Sequence, residues 1–406
     1  MGKIKLPKYI MTRTVYLDRL RPYMNSNLIK VITGQRRVGK SYLLYQIIHE
    51  VLQQNPESVV LYINKEDLAF SAIKTAEDLD LYVQNNKSKT AKNYLFIDEI
   101  QDIENFESAL RSLLLDESLD IYCTGSNANL LSGDISGYLS GRYIEIQVHS
   151  LSYTEFLLFQ GLVSNIKNLN LYLKYGGLPY LKHLKLEDDI VFEYLKNIYS
   201  TIIYKDIIHR YSIRNIPFLE QLVLFLASNT GSIFSSKKIS DFLKSQGINI
   251  APNQVQIYIA YLFNAFIIRS VARFDIIGKR LFEVGEKYYF ENLGIRNALW
   301  GYRLEDQGKI LENAVYNHLA YCGYKISIGM LGAKEIDFIA EKNGEKKYVQ
   351  VALRILEAST YEREFGNLLA IKDNYPKLVI TLDTFSGNTV AGIQIVDLET
   401  FLLTHS

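Results

Sequence analysis

Residues 34–41 read Gly-Gln-Arg-Arg-Val-Gly-Lys-Ser, and no other stretch limits the fold so strongly. The spacing Gly-x-x-x-x-Gly-Lys-Ser lets the backbone curl until successive N–H groups point inward. A helix must then begin at once, its positive end facing the same way. Both flanks meet the requirement. The apolar run "LIKVIT" comes before, and "SYLLYQIIHEVL" follows with apolar residues three and four apart. An ordinary glycine-rich turn would need neither. The segment predicts a phosphate loop between a strand and a helix, with Gly34, Gly39, Lys40 and Ser41 binding nucleotide. In it, Lys40 neutralises charge between the outer phosphates and Ser41 holds Mg²⁺.

A second element fits the first. "NYLFIDEIQDI" is an apolar strand ending in Asp98-Glu99, and in a parallel sheet its carboxyl end lies near the phosphate loop. Asp98 is then a Mg²⁺ ligand through water, and Glu99 polarises the attacking water. Glu99 has a plainer reading, an acid in the first turn of a helix. "SVVLYIN" and "LDIYCTGSNANLLS" read as further strands, the latter ending in Ser126 and Asn127, placed to sense the terminal phosphate or orient water. "SGRYIEIQV" adds a fifth strand behind Gly141-Arg142. Arg142 is either a surface charge or, in an oligomer, a residue reaching a neighbour's terminal phosphate. The polar "NNKSKTAKN" offers no chemistry.

"GQRRVGKS", "LFIDEIQ", "CTGSNANLLS", "LSGRYIEIQVHSLSYTEF" and "YGGLPYL" together resemble the bacterial and archaeal AAA-like P-loop ATPases that end in a DUF4143 domain. The resemblance covers essentially the whole chain. It implies ATP rather than GTP, Ser126 and Asn127 as the polar sensor, and Arg142 as a candidate finger.

Beyond residue 150 the pattern turns helical. "DIVFEYLKNIYSTIIYKDIIHRY" spaces Val191, Leu195, Ile198 and Ile202 as one helical face, a lid and bridge. On α-helical spacing Asp206 and Arg210 form an ion pair, and His209 is structural or exposed rather than a ligand. Residues 218–300 read as three helices and a hairpin around Gly278, the order of a winged helix-turn-helix. Its third helix offers Asn253, Gln254, Gln256 and Asn264 to base edges, without Lys or Arg, while Ile257, Tyr258, Tyr261, Leu262 and Phe263 suggest burial. Arg269, Arg273, Lys279 and Arg280 on the hairpin would meet phosphates. Duplex DNA is therefore a candidate partner, beside a protein partner or coupling within the chain.

The tail, from "GKILENAVYNHLAYCG" through "EIDFIAEKNGEKKYVQVALRI" to "LVITLDT", resembles the restriction-endonuclease-like core. That resemblance implies Asp337 as the first metal-binding acid, Gln350 at the second acid position, and Glu312 as a further ligand. Ala352 stands where a lysine would help the attacking water, and Arg354 stays protonated and cannot act as a base. A degenerate, docking fold is the plainer reading, an active nuclease the sharper one.

Composition decides less. The 45 Lys and Arg nearly balance the 44 Asp and Glu, so no overall field declares a nucleic-acid partner. Apolar runs fall short of a bilayer span, which predicts no membrane insertion. Two cysteines in apolar surroundings suit a reducing compartment, so the cytoplasm is expected.

The expected architecture is α/β: a P-loop NTPase core with a parallel sheet (1–150), a helical lid (151–217), a winged helix (218–300) and a nuclease-like α/β domain (301–406). The expected function is Mg²⁺-dependent ATP hydrolysis coupled to movement of the later domains. An ATP-gated DNA-binding module and an ATP-dependent nuclease are the alternatives, and a homo-oligomer is among the candidate assemblies.

Overall fold

The computed structural model describes residues 6–404 apart from 8, 132–138, 140, 279–284, 356–357 and 384–388. Lys279 and Arg280 of the expected hairpin lie outside the described residues. The chain forms two compact units, one of residues 1–149 with 264–266, the other of 150–263 with 267–406.

In the first unit five parallel strands, β1 (Ile29–Thr33), β2 (Val59–Asn64), β3 (Asn93–Asp98), β4 (Leu119–Gly125) and β5 (Tyr143–Gln147), lie in the order β2-β3-β4-β1-β5. Strands β1, β3 and β4 are buried along their whole length because helices cover both faces, which explains their unbroken apolar runs. Helices α1 (Thr14–Leu20), α2 (Lys40–Gln54), α3 (Ala76–Asn86) and α4 (Phe106–Leu113) belong to this unit. Thr75 and Asp78 close a reciprocal capping box at the start of α3. Apolar residues of β1–β4, α3 and α4 make one core, from Ile29 and Val31 to Leu110 and Ile121.

At the amino ends of the strands a buried polar knot replaces apolar packing. The fully buried Lys30 ammonium pairs with the fully buried Asp120 and donates to the Ser26 carbonyl at 3.1 Å. Asp120 also accepts from the Tyr122 hydroxyl and the Asn25 amide, each at 2.8 Å. Burial pulls the Lys30 pKa down, and Asp120 opposes the shift.

Among the described residues the second unit has one mixed sheet of nine strands. It contains β6 (Ile233–Phe234), β7 (Ile268–Asp275), β8 (Glu286–Phe290), β9 (Lys325–Leu331), β10 (Lys334–Lys342), β11 (Glu345–Ala352), β12 (Lys377–Thr381), β13 (Thr389–Val390) and β14 (Ile393–Asp397). Their order is β13-β14-β12-β11-β10-β9-β7-β8-β6. The sequence reading placed a boundary at residue 300, which falls between β8 and β9, strands of this one sheet. The parallel pairing of β7 with β9 joins the two halves, with Arg273 beside Ile328 and Asp275 beside Met330.

Ten helices of this unit matter below: α5 (Tyr153–Gln160), α6 (Ile166–Tyr175), α7 (Asp188–Thr201), α8 (Ile216–Ser228), α9 (Ser236–Ser245), α10 (Pro252–Asn264), α11 (Leu293–Trp300), α12 (Gln307–Tyr321), α13 (Ala358–Leu369) and α14 (Leu398–Thr404). The segment "HSLSYTEF" holds a reciprocal capping box. Ser152 caps α5 by accepting from the Glu155 amide, and Glu155 reaches back to the Ser152 amide. "YGGLPYL" is equally local in cause. A Cβ on Gly177 would stand 2.3 Å from the Leu151 carbonyl oxygen, and one on Gly176, whose φ is +71°, would stand 2.6 Å from the Gly294 nitrogen. Both glycines are needed because backbone passes backbone there.

One segment departs from the expected spacing. Ile202–His209 is π-helical, so residues five apart stack and the four-residue Asp206–Arg210 argument does not apply. Asp206 is buried in this segment. Cys123 and Cys322 are free and buried, and burial pushes the Cys123 thiol up to about 12. Among the described residues, no helix is long and apolar enough to cross a membrane.

The Lys30–Asp120 knot makes a testable claim about what holds the first unit. Asp120→Ala leaves a buried ammonium unpaired and should lower stability by about 3–5 kcal/mol, read as a shift of the urea midpoint. Adding Lys30→Met should restore most of that loss; no recovery in the double variant would show that the pair is not the cause.

Candidate functional site

The phosphate loop lies at the carboxyl end of β1 and leads directly into α2. Gly34 has φ +148°, and a Cβ there would stand 2.3 Å from the Val148 carbonyl oxygen. Gly39 has φ +98°, a conformation that a side chain would resist. Lys40 folds back over its own loop. Its buried ammonium donates to the carbonyls of Gly34 at 3.1 Å and Gln35 at 3.2 Å, and stands 4.0 Å from Glu99.

Because β4 lies between β1 and β3, the three carboxyl ends converge. Asp98 accepts from the Thr124 hydroxyl at 2.5 Å, from the Tyr62 phenol at 3.3 Å, and from the Ser41 hydroxyl. Burial pushes its carboxyl above the ordinary range despite the bonds from Ser41 and Thr124. Ser41 and Asp98 are thus already in contact, which is how a magnesium ion between them would be held.

Glu99 follows with φ +58°, a left-handed conformation uncommon outside glycine. The turn sends its side chain toward Lys40 rather than along the sheet, and its amide donates to the Thr124 hydroxyl at 3.0 Å. Burial would raise the Glu99 carboxyl, but Lys40 and then Arg36 outweigh it and hold it below its ordinary value. The Gln101 amide also donates to the Glu99 carboxylate. Adjacent carboxylates therefore sit in opposite electrostatic surroundings. Glu99 also stands directly before the short 3₁₀ turn Ile100–Asp102, but its side chain makes no capping bond there.

The remaining expected residues separate. Ser126 and Asn127 are buried just past the end of β4, on the loop's side of the sheet, and Asn127 accepts from the Asn129 amide at 2.7 Å. Arg142 is exposed at the other end of the strands, where its carbonyl accepts from the Ile29 amide at 2.9 Å. It does not join the phosphate loop of its own chain.

Several supporting residues escaped the sequence reading. Arg13 is buried ahead of α1, and its guanidinium donates to the carbonyls of Val38 at 3.1 Å and His149 at 3.0 Å. It therefore braces the phosphate loop from behind. Arg36, inside the pattern, pairs with Glu66 at 3.3 Å as well as acting on Glu99. Gln35 donates to the Phe266 carbonyl at 2.8 Å, so residues 264–266 pack with the first unit. None of these has a spacing signature.

In the second unit, Glu312 on α12 and Asp337 on β10 do come together, around a residue the sequence reading left out. The ammonium of Lys287, on β8, lies 2.7 Å from Glu312, 2.7 Å from Glu335 and 3.4 Å from Asp337. Tyr289 donates to Glu312 at 2.6 Å, and the Val351 amide donates to Asp337 at 2.9 Å. Gln350 accepts from the Asp337 amide at 3.3 Å. Burial, then Asp337, raises the Glu312 carboxyl to about 7 against the pull of Lys287. Burial also lifts Asp337. Burial alone would lower the Lys287 pKa, but the carboxylates of Glu312, Asp337 and Glu335 raise it, keeping the ammonium charged. Among the described residues, no group of three or more His, Cys, Asp or Glu is arranged to hold a metal ion.

The expected DNA face changes in detail. Asn253, Gln254 and Gln256 are exposed on α10, but so is Ile257, at 45%, while Asn264 is buried. Arg269 is buried and paired with Glu291 at 2.8 Å, so it is not a phosphate contact.

Comparison with known proteins agrees with the first unit's geometry. A family model described as an AAA domain matches residues 26–157. A domain of unknown function, DUF8612, matches residues 166–306, whereas the motif string leads to a DUF4143-like domain at residues 301–406. The solved structure of the replication initiator DnaA bound to AMPPCP and single-stranded DNA shares 18% identity, covering 65% of this chain and 92% of its own, at a TM-score of 0.32. An uncharacterized protein of Methanocaldococcus jannaschii is 30% identical over 365 residues, 86% of this chain and 79% of its own. An uncharacterized protein of Haemophilus influenzae is 36% identical over 404 residues, 98% of this chain and all of its own. The chain belongs to the family of that Haemophilus influenzae protein, and within it carries an AAA domain followed by a DUF8612 domain.

Proposed function

We propose that this protein is a Mg²⁺-dependent ATPase that converts ATP to ADP and phosphate. The observation that carries the reading is Glu99, buried, held below its ordinary pKa, and 4.0 Å from the phosphate-loop lysine. A site built only to hold a nucleotide has no use for a second carboxylate kept charged beside Lys40. Mg²⁺, held by Ser41 and through water by Asp98, would supply further charge neutralisation at the outer phosphates.

The chain's own residues define the rest of the reaction. Lys40 exchanges the carbonyls of its loop for phosphate oxygens and offsets the charge that builds on them. Glu99 orients a water and takes its proton as the water oxygen bonds to the terminal phosphorus. The bond from that phosphorus to the bridging oxygen breaks, and ADP leaves with the electron pair. Gln101 fixes the Glu99 carboxylate, and Asn127 would orient the water or the terminal phosphate. Arg142, far from its own loop, suits a role at a neighbouring subunit's phosphate in a homo-oligomer.

The finer reading is that nucleotide state moves the second unit. The order α8, β6, α9, α10, β7, β8, with β6 pairing to β8, supports a winged helix-turn-helix. The strands β9–β12 with α12 support a restriction-endonuclease-like, DUF4143-like tail used for docking. A cytoplasmic setting is consistent with the buried free thiols. The alternative of an ATP-gated DNA-binding module is favoured by one observation, the exposed row Asn253, Gln254 and Gln256. The nuclease alternative would rest on Asp337 and Glu312, whose carboxylates are instead engaged by Lys287.

Three measurements separate these readings. Lys40→Ala should weaken nucleotide binding and abolish turnover, whereas Glu99→Gln should keep binding and lose at least ~10²-fold in turnover. Turnover equal to the wild type in Glu99→Gln would remove Glu99 as the base. DNA binding predicts retarded migration of duplex that weakens steeply between ~50 and ~200 mM salt and is reduced by Gln254→Ala and Gln256→Ala; no retardation with or without ATP removes that reading. Metal-dependent cleavage lost in Asp337→Ala would establish the nuclease, and absence of cleavage by the wild type would dispose of it.

A further inference from the structure

The centre of the Glu312–Glu335–Asp337 cluster is occupied by a side chain. An ammonium group has three N–H bonds, and here three carboxylates surround it. Two of the separations, both 2.7 Å, are those of charge-assisted hydrogen bonds rather than of metal coordination. Magnesium would need oxygens at about 2.0–2.1 Å, so Glu312 and Glu335 would have to close by roughly 0.6 Å and Asp337 by roughly 1.3 Å. Glu312 and Asp337 have further partners. Glu312 takes the Tyr289 phenol on the oxygen that also faces Lys287. Asp337 gives its second oxygen to the Val351 amide, and Gln350 turns its carbonyl to the Asp337 amide.

The lysine is also held from behind. Lys287 lies on β8 with strands on both sides, opposite Val271 of β7 and Ile233 of β6, and is only 3% exposed. Its backbone is fixed by two ladders, and its stem is buried. Gly231, at φ +74°, lets the backbone pass close to Glu312, where a Cβ would lie 3.2 Å from the carboxylate.

We propose that the Lys287 ammonium is a resident counter-ion, standing among Glu312, Glu335 and Asp337 in place of a divalent cation, and that removing it turns the cluster into a divalent-cation site. The acids of the tail thus take their cation from β8, a strand that precedes the tail in the chain. The consequence is that the wild-type tail takes up no metal, whatever state the phosphate loop is in. This inference does not rest on the ATPase reading.

The probe is Mn²⁺, added to the full chain without nucleotide and followed by electron paramagnetic resonance. Wild type and Asp337→Asn should bind Mn²⁺ indistinguishably, because the cluster contributes nothing in either. Lys287→Ala should gain one Mn²⁺ equivalent, at least tenfold tighter than any in the wild type. Lys287→Ala combined with Asp337→Asn should lose it. An Mn²⁺ equivalent in the wild type that disappears in Asp337→Asn overturns the proposal, as does a folded Lys287→Ala that gains none. Lys287→Met, which keeps the apolar stem, serves if the alanine variant does not fold. If neither folds, the comparison of wild type with Asp337→Asn and with Glu335→Gln decides, since Glu335 is 34% exposed and tolerates the change.

Discussion

The Asp98 carboxylate fastens the first unit together at its working end. Four segments reach it: Ser41 at the start of α2, Tyr62 from β2, Thr124 from β4, and β3 itself. Two of these strands, β3 and β4, and the helix α2 have their ends at the site. A carboxylate this deeply buried is costly, and each hydrogen bond to it offsets part of that cost. The result is a group whose position cannot drift without disturbing three neighbours. Glu99 inherits that rigidity, since its amide is tied to the same Thr124 hydroxyl.

The two adjacent acids show how little sequence is needed to separate roles. Asp98 is surrounded by hydroxyls and a phenol, and burial dominates it. Glu99, one residue on, is turned by a left-handed φ toward Lys40 and Arg36, and cations dominate it. One backbone angle assigns one carboxylate to a hydroxyl-lined niche and the other to a cationic one.

What could be read from the sequence was whatever lies within one local pattern. The phosphate loop, the Asp98–Glu99 pair and the convergence of their strands follow from apolar runs and short spacings. Residues whose partners arrive from elsewhere carried no such mark. Arg13 meets Val38 and His149 across 25 and 136 residues. Arg269 looked like a surface charge because Glu291, its partner, lies 22 residues on. Lys287 was invisible for a sharper reason. The fold resemblance points to β11, two positions past Gln350, for a lysine, while the cation lies on β8. Ile257 was read as core from its type alone, and the third helix turns it outward. The π-helical segment Ile202–His209 is a further case, because a repeat of four was assumed where the backbone repeats in five.

The parallel pairing of β7 with β9 has an inheritance consequence. Strand β7 uses one edge for β8 and the other for β9, so neither half of the sheet has a free edge at their junction. A chain ending after Trp300 would bare the β7 edge, an open row of N–H and C=O groups ready to template on another molecule. The tail therefore cannot be shuffled onto or off this chain as a cassette. Hairpin and tail share one continuous sheet, and each covers a strand edge that the other would leave open.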